Sequence, residues 1–559
     1  MLRHLWGGGG KTKRTLVVAS FLLALVAGPA VASNGARLTS YGARAAGRGG
    51  VDYAFADDAT APATNPAGIA FTPNRFDNNW LAAIADGQFR NQQGVFHMSP
   101  QWQVPFPAYS FGVVIDPTQS WHVGDLFDFG NWGLKPEAKD PPRDGLEDLW
   151  LAQNKDAPKE SSPSKKDELP PPPRPTVPID DATDEELYGG RFRFGFGVFP
   201  VSGGAFTYKH IITPFTQPNA IRYRTRAEQL AIAPTFAFRI IGTKDLSLSF
   251  GYSPQFHYAK FKLDGPIQQP NTTLNPSFRF SSIFLGSTSL LTYATTHDLS
   301  TYGFSQRLGF MLNLDKFSVG VTYQDRTYLQ DYLGSAEVDA NQQVARLTNG
   351  NPGLLQIVDP RVDPARGFRS EYDMRIKNLQ QPRQFGLGFA FRPMDRVALG
   401  LDYTFIGWEE LYRVFAVRLT NGSNQNLDIM TSPSVKVRVP LKYHNQHVIA
   451  IGGSVVVLRG DDIVPDVPSF QLILRAGYNW GQTPTRANTN IPQTPIIFEH
   501  HLSGGLTFQL GPYLDFTFAV EHAFHNGVHT GISRSNSDLS FSRNSISLTQ
   551  FFFGTGVNF

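Results

Sequence analysis

The chain contains no cysteine among its 559 residues. That excludes disulfides and zinc sites built on thiolate, and it suits an exported protein that avoids thiol chemistry altogether. It also lacks a dominant charge: 50 Lys and Arg against 47 Asp and Glu leave a net charge of +3. The basic residues are scattered, so nucleic-acid binding has no support. Beyond residue 32 no apolar run is long enough for a membrane helix, which excludes a helical membrane protein. There is no G-x-S-x-G elbow or comparable nucleophile–base cluster for an enzyme. Glu499-His500-His501 is not read as a metal site, because adjacent residues on a strand point to opposite faces. No cofactor and no metal are expected.

The N-terminus reads as a removable address. Lys11, Lys13 and Arg14 form a positive n-region, Leu16 to Ala27 an apolar h-region, and Ala30-Val31-Ala32 a cleavage site. Residues 1–32 are therefore expected to be a signal peptide, with the mature chain starting at Ser33. The glycine run before Lys11 has no preceding strand and is not a phosphate loop.

What is abundant is phenylalanine, 44 residues, against a slightly negative mean hydropathy. That pairing suits apolar residues at alternate positions, facing lipid on one side and water on the other. Back from Phe559, Val557, Thr555, Phe553 and Phe551 alternate with Asn558, Gly556, Gly554 and Phe552. Val397, Leu399, Leu401, Tyr403 and Phe405 alternate with a set containing Asp402, and Leu514, Phe516, Phe518 and Val520 with one containing Asp515 and Glu521. Charges on the inner face are costly in a dry core and cheap in a wet lumen. They favour a barrel over a soluble sandwich.

The fold class is thus all-β, a transmembrane antiparallel β-barrel of about 14 strands, spaced from 79–90 to 545–559. Connections alternate: tight at Ile241–Lys244, Asn313–Lys316, Arg392–Asp395 and Leu510–Tyr513, long between them. This parity puts the N-terminal segment and Phe559 on the periplasmic side of a bacterial outer membrane. One connection breaks the rule: residues 117–190 are charged and Pro-rich, including Pro170–Pro173, and read as a low-complexity periplasmic insert. It is a solvated linker or a site for a periplasmic partner. The barrel domain is 79–559.

Between signal and barrel lies 33–78, whose stretch from Gly42 to Phe71 shows neither helical nor strand period yet is too apolar for a disordered tail. It holds the acidic pair Asp57-Asp58 and ends in the breaker cluster Asn65-Pro66-Ala67-Gly68. A compact irregular segment ahead of a barrel reads as a hatch, or plug, inside the lumen.

At this point the chain resembles the FadL-type outer-membrane transporters of long-chain fatty acids and other hydrophobic compounds. The resemblance rests on residues 47–71, on FRPMDRVALGLDYTFIGWEEL at 391–411, and on LILRAGYNWGQTP and EHHLSGGLTF through to the end. It covers most of the mature chain except 116–190. It implies a fourteen-stranded barrel, a hatch motif at Asn65, Pro66 and Ala67, capture of a hydrophobic small molecule between long outer loops, and sideways exit into outer-membrane lipid at a kink in the third strand. The terminal Phe559 resembles the signal that barrel assembly machinery reads. In the third strand Pro200, Ser202, Gly203 and Gly204 sit mid-strand, where Pro cannot donate to a ladder and Gly marks bends.

The expected function is passive outer-membrane transport of hydrophobic molecules, with long-chain fatty acids foremost. A barrel-embedded lipid-hydrolysing enzyme and a general porin are the alternatives. The loop Asp264–Ser300, with Phe278, Phe280, Phe284 and Leu285, is a candidate capture surface. A second wall would come from Leu354, Leu355, Ile357 and Val358. Lys260 matches a basic position that the family uses for a carboxylate, although counting by twos from Leu246 puts it on the outward face.

Overall fold

The computed structural model describes residues 37–99, 108–117, 191–214, 216, 219–243, 246–270, 275–278, 289–377, 379–460, 470–492, 496–511 and 513–559. The expected signal peptide, and the 117–190 insert beyond its first residue, lie outside them.

A single antiparallel sheet joins twenty strand segments. In chain order they are β1 (Arg75–Asn91), β2 (Gly94–His97), β3 (Ala108–Ile115), β4 (Phe192–Ile211), β5 (Ile221–Gly242), β6 (Leu246–Pro270) and β7 (Ser289–Leu314). Then come β8 (Phe317–Gln324), β9 (Tyr328–Leu329), β10 (Tyr332–Asp339), β11 (Arg369–Lys377), β12 (Gln384–Met394), β13 (Val397–Ile406), β14 (Val414–Thr420), β15 (Ser434–Pro440) and β16 (Gln446–Arg459). The last are β17 (Phe470–Gly481), β18 (His500–Leu510), β19 (Leu514–Thr530) and β20 (Ser542–Asn558). β1 pairs with both β3 and β20, so the sheet closes on itself.

The expected count of about fourteen strands is corrected to these twenty ladder segments. The physical reason is interruption. The β7 ladder is met in turn by β8, β9 and β10, and β11 to β16 come as consecutive pairs separated by a few residues outside the ladder. The long loop expected at Asp264–Ser300 is also corrected. β6 and β7 run on to Pro270 and Ser289, with Asp264 paired to Thr295.

The faces separate as the alternation requires. One cross-strand row, Phe553, Phe518, Leu506, Leu474 and Val455, is exposed and apolar. Such a row along a closed sheet is a lipid-facing band. The opposite face is small and polar, and against it lies residues 37–74. That segment contains a short helix Ala43–Gly47 and two 3-10 turns, Ala61–Ala63 and Pro66–Phe71. It is buried over nearly its whole length and contacts inward residues of the wall.

Candidate functional site

The inner-face charges legible in the sequence each hold the 37–74 segment. Asp402 Oδ2 accepts from the backbone N–H groups of Asp52 and Tyr53, at 2.7 and 2.9 Å. Asp515 Oδ2 accepts from Arg44 and Arg75, at 2.7 and 2.6 Å. Glu521 Oε2 accepts from Thr39 Oγ1 at 2.6 Å. They do not face open water. They are buried, and segment donors replace the water that would otherwise solvate them.

Asn65 is fully buried and acts in two directions. Its Oδ1 caps the Pro66–Phe71 turn by accepting from Ala67 N, and its Nδ2 donates to the carbonyls of Tyr53 and Phe310, at 2.8 and 3.1 Å. Pro66 at the first turn position has no N–H to satisfy. Inside the segment Arg48 donates to Asp52 and to both oxygens of Asp57. Burial alone would raise the Asp57 carboxyl, but Arg48 and Arg44 hold it well below the usual range. Asp58 has no such partner: burial, then the nearby Asp77, Asp52 and Asp57, push it up to about 7. Burial likewise raises Asp52 to about 6, against the opposing charge of Arg48.

The segment can lie this close because the wall beneath it is glycine. A Cβ on Gly320 would stand 1.9 Å from the Tyr53 carbonyl oxygen, and one on Gly477 would stand 2.1 Å from the Arg48 carbonyl carbon. Gly251, Gly309, Gly400 and Gly452 are equally crowded by segment atoms. Several are cross-strand partners: Gly251 with Gly309, Gly320 with Gly388, Gly400 with Gly452 and Gly452 with Gly477. Together they form a belt without side chains, and the space is occupied by the segment's backbone and, at Gly309 and Gly400, by its Asn65, Val51 and Phe55 side chains.

Above the segment lies an apolar cavity of about 180 Å³. Phe206, Phe261, Tyr332, Phe415, Val437 and Phe498 are among its lining. It also touches Ser202, Gly203 and Gly204 of β4. There the β4–β5 register slips between Pro200 and Ser202, a bulge at the Pro of the sequence reading. On its other side β4 pairs with β3 only as far as Val198 opposite Phe111, among the described residues. The lining includes the inward Thr225, Ala227 and Gln229, and also Glu228 and Lys260 from the opposite face of the sheet. The cavity therefore lies directly against the β4 bulge, with Glu228 and Lys260 also among the residues at its edge.

A hydrogen-bonded chain that no sequence spacing announces joins bulge to segment. Gln381 donates to Ser202 Oγ (2.8 Å), which lies 3.5 Å from its acceptor Gln229 Oε1. Gln229 Nε2 meets His257 Nδ1 at 3.1 Å, and His257 Nε2 meets Ser305 Oγ at 2.7 Å. Ser305 and Gln324 both donate to Gln255 Oε1. Arg37 and Arg307 donate to Gln324 Oε1, and Arg307 also donates to the Thr64 carbonyl at 2.7 Å.

The other candidate residues fall as follows. Lys260 is exposed on the outward face, its Nζ 5.6 Å from the Tyr258 ring centre. Phe278 does not line the cavity. It is buried in a cluster with Val344, Leu355, Phe368 and Leu427, so the two expected groove walls pack together there. Leu354 and Ile357 remain exposed. Phe280, Phe284 and Leu285 lie outside the described residues. His500 and His501 take opposite faces of β18.

A closed barrel with a lipid-facing apolar band and a lumen filled by its own N-terminal segment defines a membrane-spanning outer-membrane barrel. Comparison with known proteins makes this specific. The family described as outer membrane protein transport protein (OMPP1/FadL/TodX) matches residues 189–549, and the chain belongs to it. This is a family of transport proteins and not of enzymes. Among solved structures, the Pseudomonas putida toluene transporter TodX superposes with a TM-score of 0.60 at 16% identity, covering 94% of this chain and 100% of that one. The Ralstonia pickettii toluene transporter TbuX gives 0.55 at 14% identity, covering 93% and 99%. A Pseudomonas aeruginosa FadL homologue gives 0.56 at 15% identity, covering 95% and 100%. At these identities the likeness is one of fold. No curated protein matches by sequence.

Proposed function

We propose that this protein carries hydrophobic molecules across the outer membrane, and that cargo held in the apolar cavity leaves sideways through the β4 bulge into lipid. The observation that carries the reading is the cavity lying against Ser202–Gly204, where the β4–β5 register slips. An apolar molecule gains nothing from an aqueous pore and loses nothing by passing from an apolar cavity directly into lipid. In this reading the 37–74 segment is a hatch that closes the straight path through the lumen, with Asn65, Pro66 and Ala67 as its pivot.

The cavity also bears on the cargo. Lys260 is the single cation among its described lining residues, and Glu228 is opposite it in register. A buried carboxylate needs a cation and hydrogen bonds. An uncharged hydrocarbon needs neither. The lining therefore favours neutral cargo, such as the toluene named for TodX and TbuX, over a fatty acid whose carboxylate would have to sit at Lys260.

The test is uptake of radiolabelled toluene and oleate by cells lacking their own transporters. The expected result is toluene uptake above background that falls when Pro200–Gly204 is deleted. Equal uptake with the deletion would remove the sideways exit. Oleate uptake abolished by Lys260→Gln would restore the fatty-acid reading. Free passage of sugars in a liposome-swelling assay of the unaltered chain would show a general porin instead.

A further inference from the structure

On the outward face of β5 the even-numbered residues read, from one end, Ile240, Phe238, Phe236, Pro234, Ile232 and Leu230, and then Glu228, Arg226, Arg224 and Arg222. The apolar part is lipid-facing: Ile240, Phe238, Phe236 and Ile232 are all exposed. At about 3.3 Å per residue and a tilt of roughly 40°, Ile240 to Leu230 spans about 25 Å, the height of a lipid-facing band. The arginines begin where that band ends. Arg226, Arg224 and Arg222 then stand about 10, 15 and 20 Å beyond Leu230, at headgroup depth and above.

The neighbouring strands add to the same patch. Lys260 and Lys262 of β6 are paired with Glu228 and Arg226. Lys209 and His210 stand exposed on β4, where its register slips against β5. Thr207, Lys209, His210, Arg222 and Arg224 line an open groove. Tyr258 and Tyr302, paired across β6 and β7, sit just below Lys260, where amphipathic rings mark a membrane interface. Among the side chains described, two acids stand against the six Lys and Arg: Glu228, paired with Arg226, and Asp264, 3.6 Å from Arg222.

This arrangement is unfavourable by itself. Arg226 and Lys262 are directly opposite in register, and like charges so placed repel. Half of the Arg222 side chain is exposed even with Asp264 beside it. An excess of cations immediately above a lipid band is stabilised by an anion presented at that depth.

We propose that the outward stripe Lys209, Arg222, Arg224, Arg226, Lys260 and Lys262 is a docking surface for an anionic, phosphate-bearing membrane lipid. Its acyl chains lie along Ile232, Phe236 and Phe256, and its headgroup lies across the arginines. The surface adjoins the β4 bulge, so the bound lipid borders the cavity mouth. The occupant is a lipid and not free phosphate, because the cations continue an apolar surface that only a molecule with acyl chains can cover.

Native mass spectrometry of the full chain in detergent tests this, with phosphatidylglycerol and phosphatidylcholine of matched acyl chains as probes. The expected result is preferential retention of phosphatidylglycerol. In Arg222→Gln/Arg224→Gln/Arg226→Gln the preference should fall about 100-fold, near five-fold per cation removed. Arg361→Gln/Arg366→Gln/Arg375→Gln, elsewhere on the long-loop end, should keep it. Folding of each variant is read from its heat-modifiable gel mobility. If the arginine variant does not fold, Lys260→Gln/Lys262→Gln replaces it, with an expected loss of about 25-fold. Equal retention of the two lipids, or an unchanged preference in the folded variants, would overturn the proposal. So would displacement of phosphatidylglycerol by millimolar inorganic phosphate, which would show a free-anion site.

Discussion

His257 stands between Gln229, 3.1 Å from its Nδ1, and Ser305, 2.7 Å from its Nε2, and completes a polar chain from the β4 bulge to the carbonyl of Thr64. With Gln229 Nε2 donating to Nδ1, the ring proton sits on Nε2 and points to Ser305, which donates onward to Gln255. All of these side chains are buried in the wall.

Replacing His257 with Phe should cost about 1–3 kcal/mol, the penalty for leaving buried Gln229 and Ser305 groups short of a partner. The urea midpoint of the reconstituted barrel measures this. His257→Gln, which can bridge on one side, should lose less. Equal midpoints for the Phe variant and the unaltered chain would show that the chain of bonds adds no stability.

The glycine belt gives a second expectation. Gly320→Val or Gly477→Leu would drive a side chain into the backbone at Tyr53 or Arg48 and displace the segment. Sucrose permeability in liposome swelling should then rise above background. Gly531→Ala, which meets nothing within 4 Å, should behave as the unaltered chain.

The lipid band and the inner-face charges were legible because both follow a period of two. Phe516 and Phe518 face out, and Asp402, Asp515 and Glu521 face in, as the alternation requires. The extent of β6 and β7 was not legible. Above the membrane their outward side need not be apolar, so the alternation fades while the ladder continues. The belt was hidden for a different reason. A glycine in a strand is read as a bend, and only the fold shows that Gly452 and Gly477 lie side by side under Arg48. Pro200 was legible as a place where the ladder is disturbed, and the β4–β5 pairing shows it as a register slip between Pro200 and Ser202, not a break. The partners of Ser202 come from β5 and from Gln381, and no spacing in the chain relates them.

Asp515 bridges segment and wall through Arg44 and Arg75. Asp515→Asn removes the charge both arginines share and should destabilise the seated segment by about 3 kcal/mol, as for a broken buried pair. Trypsin cleavage after Arg44 in the folded barrel should accelerate accordingly. An unchanged cleavage rate would show that Asp57 and Asp77 suffice.

Seating should also depend on pH. Asp58 is raised from 3.8 to about 7 by burial and its acidic neighbours Asp77, Asp52 and Asp57. A raised carboxyl binds its proton more tightly when buried than when released. Its contribution is therefore complete below about pH 4 and is lost as pH rises through 7. Hydrogen exchange across residues 42–64 should quicken between pH 4 and pH 7.5. Asp58→Asn, which can still accept from Thr60 N, should flatten that dependence. A slope that persists in the Asn variant would move the titration to Asp52, raised to about 6.

The belt also limits how the segment can move. With no side chains at these positions, the glycine part of the wall cannot itself fill the space that residues 37–74 would vacate. Complete withdrawal would open the lumen along this belt. Gating that keeps the membrane tight must then work by small displacements that leave most of the backbone seated, with each wall glycine setting how far the segment can slide.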